Sequence, residues 1–358
     1  MPTSLYVRRK NPPVALLLMG LLAGCGGSGG TVTPAVNPLT NPDVVVFASG
    51  RAADGNWHFY AMNPDGSGVI PLPGNQYLGD SAKYIEGIAL NQTGTFLTYT
   101  ISGIVGSDRF LTRLSDGSQV YHQFGASQAD SLAANSNGTR LAIAGIPSAT
   151  DPYAIYLMNP DGTQKTQVAT LPAATAVSEI TFAPDDQTLY YVTSAILPHF
   201  EVGNGILYRM TSGGTPVAIV NNSVPIASLH TSRDGTKLAF ISYVETADQS
   251  SITFTAYTVH SDGTGLTKGA TTTLTGNPDV SGGVPAVNGA VAPWNISIAS
   301  RADGFHVLYR NTVNGVDELF DMRPDGSGLK QITFNAGGNA IPGSRAATLG
   351  AVRMLGGR

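Results

Sequence analysis

Six histidines, a recurring Asp-Gly dipeptide, scattered glutamates and one cysteine are the residues with chemistry to offer. The histidines (His58, His122, His199, His230, His260 and His306) show no metal-ligand spacing such as His-x-x-x-His. Ser81 of Gly79-Asp80-Ser81, taken with Asp303-Gly304-Phe305-His306, supplies the residue types of a Ser–His–Asp nucleophile. That chemistry needs the serine delivered beside the histidine. No Gly-x-Ser-x-Gly elbow occurs in the body of the chain, and Asp303-Gly304 falls where a hairpin turn is required. Asp65, Asp161, Asp262 and Asp325 could be read as Ca²⁺ loops, but such a site needs six to eight converging oxygens. Each of these turns offers one carboxylate, so hairpin chemistry is the better reading. Glu86 and Glu179 fall near leading strands of different units, and no pair of carboxylates for glycoside chemistry is visible. No catalytic residue, metal or cofactor is expected, and the chain is read as non-enzymatic.

The Asp-Gly turns belong to a repeat. Tyr60-Ala61-Met62-Asn63-Pro64-Asp65-Gly66-Ser67-Gly68 returns nearly unchanged from Tyr156 to Thr163 and from Phe320 to Gly328. Weaker copies surround Gly117, Gly213 and Gly263, so the glycines fall at 66, 117, 162, 213, 263 and 326. A period of roughly 40 to 50 residues marks a propeller or a solenoid. A second signature precedes each of these turns. Three and five residues after a Gly or Asp, apolar side chains recur: Leu97 and Tyr99, Leu141 and Ile143, Leu189 and Tyr191, Leu238 and Phe240, Val307 and Tyr309. A spacing of two puts both on one face of a strand. Short apolar strands lie upstream of each, and others follow the Asp-Gly turns.

One unit therefore reads strand, turn, strand, variable loop, strand, Asp-Gly turn, strand. Asp-Gly suits the second turn because glycine takes positive φ freely and aspartate bonds its own backbone. Four antiparallel strands per unit make a propeller blade. Six units are counted. The first lacks a leading strand, and a strand at Ala347–Arg353 follows the sixth. The expected fold is an all-β, six-bladed propeller over residues 44–358, its ring closed by the C-terminal strand so that no edge is left open. The abundance of glycine, 43 of 358 residues, and only 12% charged residues fit short strands and tight turns.

On this frame His230 lies in the leading strand of the fifth unit, where its counterparts are Ala89, Ala133, Thr181 and Ala299. A histidine among small residues near the channel is a candidate ligand contact or a hydrogen-bonded structural residue. The longest variable loops are Ala195–Asn204, Glu245–Ser250 and Lys268–Pro293. Binding residues on rigid scaffolds concentrate on loops. His199, Phe200 and Trp294 are the candidate anchors there, with His230 in the channel.

The first residues stand apart. Arg8, Arg9 and Lys10 precede an apolar run from Val14 to Leu22 that is too short to span a bilayer, and the run ends in Leu22-Ala23-Gly24-Cys25. This resembles the lipobox of bacterial lipoproteins. The resemblance implies that residues 1–24 are a signal peptide and that Cys25, the chain's one cysteine, carries the lipid. The alternative is a secretory signal followed by an incidental cysteine. Residues 25–43 then form the lipidated anchor and a flexible Gly/Ser/Pro-rich tether. Gly26 replaces the Asp that retains such proteins at the inner membrane, which implies the outer membrane, facing the periplasm. Loss of the leader takes the net charge from −4 to −7, which disfavours nucleic-acid partners.

The Met-Asn-Pro-Asp-Gly-Ser-Gly motif, paired with the earlier Asx-Gly-Thr turn, resembles the TolB-type, WD-repeat-like propeller family from about Val44 to the end. Members of that type bind a peptidoglycan-associated lipoprotein and colicins at the channel mouth. They carry an α/β domain before the propeller and are soluble, whereas here a tether and a lipobox stand in that place. What the resemblance implies is the fold and a partner bound over the channel: an envelope protein or a peptidoglycan-associated partner. The function expected is therefore a membrane-anchored, non-catalytic interaction scaffold. The alternatives are a carbohydrate- or small-ligand-binding propeller and a cryptic hydrolase or lyase.

Overall fold

The alternating and doubly apolar runs become twenty-four strands in a computed structural model of the chain. It describes residues 37–41, 43–49, 58–73, 84–103, 106–126, 129–146, 151–172, 175–196, 202–245, 251–275, 296–313, 316–333 and 349–354. Blade one holds β1 (Val45–Ser49), β2 (His58–Met62) and β3 (Ile70–Pro71). Blade two holds β4 (Tyr84–Leu90), β5 (Phe96–Gly103), β6 (Gly106–Arg113) and β7 (Gln119–Ala126). Blade three holds β8 (Ala129–Ala134), β9 (Leu141–Gly145), β10 (Ala154–Met158) and β11 (Thr166–Thr170). Blade four holds β12 (Thr175–Phe182), β13 (Thr188–Ile196), β14 (Val202–Thr211) and β15 (Val217–Asn221). Blade five holds β16 (Ile226–Thr231), β17 (Lys237–Glu245), β18 (Ser251–His260) and β19 (Thr267–Thr275). Blade six holds β20 (Ile296–Arg301), β21 (Gly304–Val313), β22 (Val316–Met322) and β23 (Lys330–Gln331). The last strand, β24 (Leu349–Met354), returns to pair antiparallel with β1, with Val45 opposite Met354 and Phe47 opposite Val352. The sheet orders are β24-β1-β2-β3 and five simple meanders. This is the six-bladed, C-terminally closed ring that the repeat implies.

Each blade buries both of its faces, and the side-chain period of two divides them. In blade one Val44, Val46, Phe59 and Ala61 pack toward blade two, while Val45, Phe47, Tyr60 and Met62 pack toward blade six. The buried apolar residues form six such clusters, one at each seam between neighbours. Burial on both sides explains runs such as Leu141–Gly145 and Ala154–Met158, buried at every position. Each fully buried aliphatic or aromatic side chain contributes about 1.5–3 kcal/mol, so the seams supply the bulk of the cohesion. The repeated ring in the third strand stacks on its partner in the second. Tyr99–Phe110 centroids are 4.7 Å apart, Tyr191–Tyr208 5.1 Å and Phe240–Tyr257 5.2 Å.

Because strands alternate in direction, the two tight turns of blades two to six and the one of blade one share one face of the ring. The longer connections, within and between blades, start and finish on the other. The loops expected from sequence are trimmed accordingly. β13 runs to Ile196 and β14 begins at Val202, while Lys268 to Thr275, expected as loop, lengthen β19. The extra length of β19 is held by threonine pairs across the ladder, Thr253 with Thr273 at 2.8 Å and Thr255 with Thr271 at 2.9 Å.

The turn face is built by its own side chains. Asp65, Asp161, Asp262 and Asp325 each accept the backbone N–H two residues on at 2.9 Å. That accounts for these carboxylates as turn residues. Two of the glycines beside them also admit the neighbouring blade: a Cβ on Gly66 (φ 87°) would lie 1.8 Å from Ile332 O. A Cβ on Gly263 would lie 2.7 Å from Ile219 O.

The chain enters the ring at this face. Pro38–Thr40 form a 3-10 turn with Pro38 buried and Leu39 packed on the seam between blades one and two. Asn41 Nδ2 donates to Asn63 Oδ1 at 3.0 Å. Asp43 accepts from the Arg233 guanidinium and, at 3.2 Å, from Ala302 N. The expected tether ran to residue 43; its last residues are thus fastened across the turns of blades one, five and six.

Candidate functional site

The innermost strands β4, β8, β12, β16, β20 and β24 surround the channel. Their alternation sends apolar residues such as Ile88, Leu132, Ile180, Leu229 and Ile298 toward the seams. The repeat leaves small residues beside the axis. Near the turn face a small cavity is lined by Ala89, Thr98, Ala133, Thr181, His230 and Ile298, among others. Of the counterparts aligned with His230, Ala89, Ala133 and Thr181 line this cavity with it, whereas blade six contributes Ile298 and Ala299 packs in the seam with blade one. Its side chain is 8% exposed, and Nδ1 lies 2.8 Å from Thr231 O. A carbonyl accepts only, so Nδ1 carries the proton in that contact.

One residue further toward the turns, the channel is crossed. Gln92, from the first turn of blade two, donates through Nε2 to Phe182 O of blade four at 2.9 Å. The same nitrogen donates to the Thr231 hydroxyl of blade five at 2.5 Å. Around it the turns bond blade to blade. Asn91 Nδ2 donates to Ser136 O at 2.7 Å, and Ser136 N donates to Asp186 Oδ1 at 2.8 Å. Sequence reasoning missed Gln92, since it reads as an ordinary polar turn residue.

Higher in the channel a bulge in β16 turns Ser228 into a node. It has φ 51° without being glycine. Ser228 N donates to Glu179 Oε1 at 2.9 Å, and Ile298 N donates to Ser228 Oγ at 2.8 Å. Three blades are thereby tied at one residue, which holds the uncommon backbone in place. Glu179, weighed above for glycoside chemistry, is committed to this node; the Glu86 side chain lies outside the described residues.

Asp303 and His306, whose types invited a hydrolase reading, do meet. His306 Nε2 is 2.9 Å from Asp303 Oδ1 and Nδ1 is 2.9 Å from Asp321 Oδ1. Arg301 donates to Asp321 Oδ2 at 2.7 Å and Arg323 to Asp303 Oδ2 at 2.8 Å. Asp321 is 1% and Arg301 5% exposed. Burial pushes Asp321 up, but the His306 hydrogen bond and the Arg301 charge outweigh it and hold the carboxyl below its ordinary range. Both imidazole nitrogens face carboxylates, so neither is turned to a nucleophile. Among the described residues no group of three or more His, Cys, Asp or Glu side chains is placed to hold a metal ion.

The other candidates, Cys25, His199, Phe200, Trp294 and Ser81, lie outside the described residues. The strands flanking three of them are informative. His199 and Phe200 fall between β13 and β14, and Trp294 between β19 and β20. All four strands end or begin on the loop face.

No protein-family model matches the chain, and no curated protein matches it. Solved structures do. TolB from Acinetobacter baumannii superposes with a TM-score of 0.54 at 14% identity, covering 87% of this chain and 66% of that one. The chain thus spans slightly under two thirds of that protein. A putative TolB from Agrobacterium tumefaciens gives 0.48 at 13% identity, covering 81% and 88% of the two chains. An oligogalacturonate lyase in complex with manganese gives 0.46 at 13%, covering 82% and 79%. What the first likeness establishes is the architecture, a six-bladed propeller of the TolB-like kind.

Proposed function

We propose that this chain is an envelope lipoprotein, anchored through Cys25 to the outer membrane on its periplasmic side. Its propeller acts as a non-catalytic scaffold. The loop face and the open end of the channel take a protein or peptidoglycan-associated partner. The observation that carries this reading is the division of the ring into two unlike faces. One is closed by Gln92 and by side chains bonded from blade to blade. The other gathers every connection long enough to vary. A rigid ring that presents loops on one side is suited to recognition. Among the described residues, Glu179, Asp303 and Asp321 are engaged in bonds within the ring.

The test is a photoreactive amino acid placed at Phe200 or Trp294 in living cells, with Lys165 on the turn face as control. One envelope protein captured from both loop positions and absent from the control is the expected result. Capture of nothing, or of the same proteins from Lys165, would remove the partner reading.

A further inference from the structure

The turn face carries a feature that the scaffold reading does not use. Among the described residues five large aliphatic side chains are conspicuously exposed: Val69 (42%), Val217 (58%), Val244 (55%), Leu266 (50%) and Leu329 (57%). Four of the five occupy one structural place, the residue or two leading into the outermost strand directly after an Asp-Gly or Gly-Gly turn. Val217 opens β15, Leu266 precedes β19, Leu329 precedes β23 and Val69 precedes β3. These belong to blades four, five, six and one, which are consecutive round the ring. In blade three the corresponding place falls to Lys165. Single exposed aliphatics need no explanation, but an arc of four on one rim does.

The same face receives the tether. Residues 37–43 are fastened to it through Asn41, Asp43 and the buried Pro38. Between Cys25 and Asn37 lie eleven residues, 26–36, of Gly/Ser/Thr/Pro-rich sequence. Fully extended they reach about 40 Å. An average Gly/Ser-type linker of that length spans about 20 Å. A lipid on Cys25 would draw first on the turn face, where residue 37 enters the ring. Asp116, Asp303 and Asp43 are paired with Arg113, Arg323 and Arg233. The turn carboxylates Asp65, Asp161, Asp262 and Asp325 bond their own Ser and Thr neighbours and stay ionised, so an anionic bilayer repels them and the approach depends on the anchor.

We propose that the turn-face rim of blades four, five, six and one is a lipid-contacting surface. Val217, Leu266, Leu329 and Val69 rest at headgroup level, so the loop face and channel mouth point away from the membrane. This rests on the reading of Cys25 as the anchor. The aliphatic contacts are few, and the tether makes them effective by holding the rim at high local concentration.

The chain has one cysteine, which the lipid would occupy, so an engineered thiol is unique. Full-length protein with Leu266→Cys, Leu329→Cys or, near the loop face, Val244→Cys is labelled with bimane. It is then inserted in vesicles of phosphatidylethanolamine and phosphatidylglycerol that carry a headgroup nitroxide. All three sites are exposed, and circular dichroism checks the fold. Several-fold stronger quenching at 266 and 329 than at 244 is expected. The double variant Leu266→Ser/Leu329→Ser should weaken quenching of a label at Val69→Cys. Equal quenching at all sites, or more at 244, overturns the proposed orientation. So does shielding of 266 by a bound protein in place of lipid. The mass of the Cys25 peptide separates the two ideas. Without lipid on Cys25 the anchoring fails and takes this proposal with it. With lipid present and 244 quenched, anchoring stands and only the orientation falls.

Discussion

Gln92 and Thr231 meet across the channel, amide nitrogen to hydroxyl at 2.5 Å, although 139 residues separate them in sequence. With the companion bond to Phe182 O, one side chain joins blades two, four and five. Gln92→Ala removes both bonds and strands a carbonyl near the axis. The expected loss is about 1–3 kcal/mol. Urea denaturation of the purified propeller measures it, and an unchanged midpoint would show that water replaces the amide at no cost.

The turn glycines divide into two kinds. Gly66 and Gly162 both have positive φ, 87° and 81°. A Cβ on Gly66 would strike the Ile332 carbonyl, whereas nothing lies within 4 Å of one on Gly162. Gly162→Ala should cost about 1 kcal/mol, the left-handed conformation alone. Gly66→Ala must also push blade six away and should cost about 3 kcal/mol. Equal losses in chemical denaturation would mean that the close approach of the two blades is unimportant.

The buried cluster of blade six sets an acid limit. Asp321 is depressed, so its contribution is complete above the unfolded carboxyl value, about 3.9, and is lost as pH falls through the lower folded value. Stability should therefore decline below about pH 4. Other turn carboxylates add to the decline; hydrogen bonds from Ser232 and Thr236 hold Asp234 down to about 2. The informative quantity is the difference between wild type and Asp321→Asn. At neutral pH the variant takes a buried carboxylate away from Arg301 and His306 and should lose about 3–5 kcal/mol. That difference should shrink as the pH is lowered. A gap that stays constant from neutral to acid pH would remove the ionic role of Asp321.

Closure of the ring rests on β24. Removing residues 349–358 leaves β1 without its inner neighbour and uncovers backbone donors and acceptors beside the channel. The truncated protein should lose its single cooperative melting transition and aggregate in size-exclusion chromatography. A monodisperse protein with an unchanged transition would show that β24 is an accessory.

Much of this was legible beforehand. The Asp-Gly turns at Gly66, Gly162 and Gly326 set the period, and the pairs three and five residues after each earlier turn marked the second strands, because both signals are local. The C-terminal closure followed from counting, since β1 had no leader. What was hidden is what depends on approach in space. Nothing in Gly-x-Ala-Leu-Asn-Gln distinguishes Gln92 as the residue that crosses the channel. Asp321 reads as one residue of an exposed-looking Phe-Asp-Met. It becomes the buried centre of a five-residue ionic group only once β20, β21 and β22 are side by side. Likewise Lys268–Thr275, full of threonine, looked like an insertion; its strand identity comes from the ladder with β18.

The partnership of β1 and β24 also fixes an order in time. Blade one is assembled from the two ends of the chain, so the contacts that finish the ring are the most distant in sequence, and such contacts form late. A chain made N-terminus first must keep β1 waiting until its final residues arrive. During that interval blades two to six can fold as local meanders, while the entry strand stays exposed and sticky. The step that locks the ring thus waits for the last strand, and a chain stalled short of β24 is left with that strand open to whatever helper or protease is nearby.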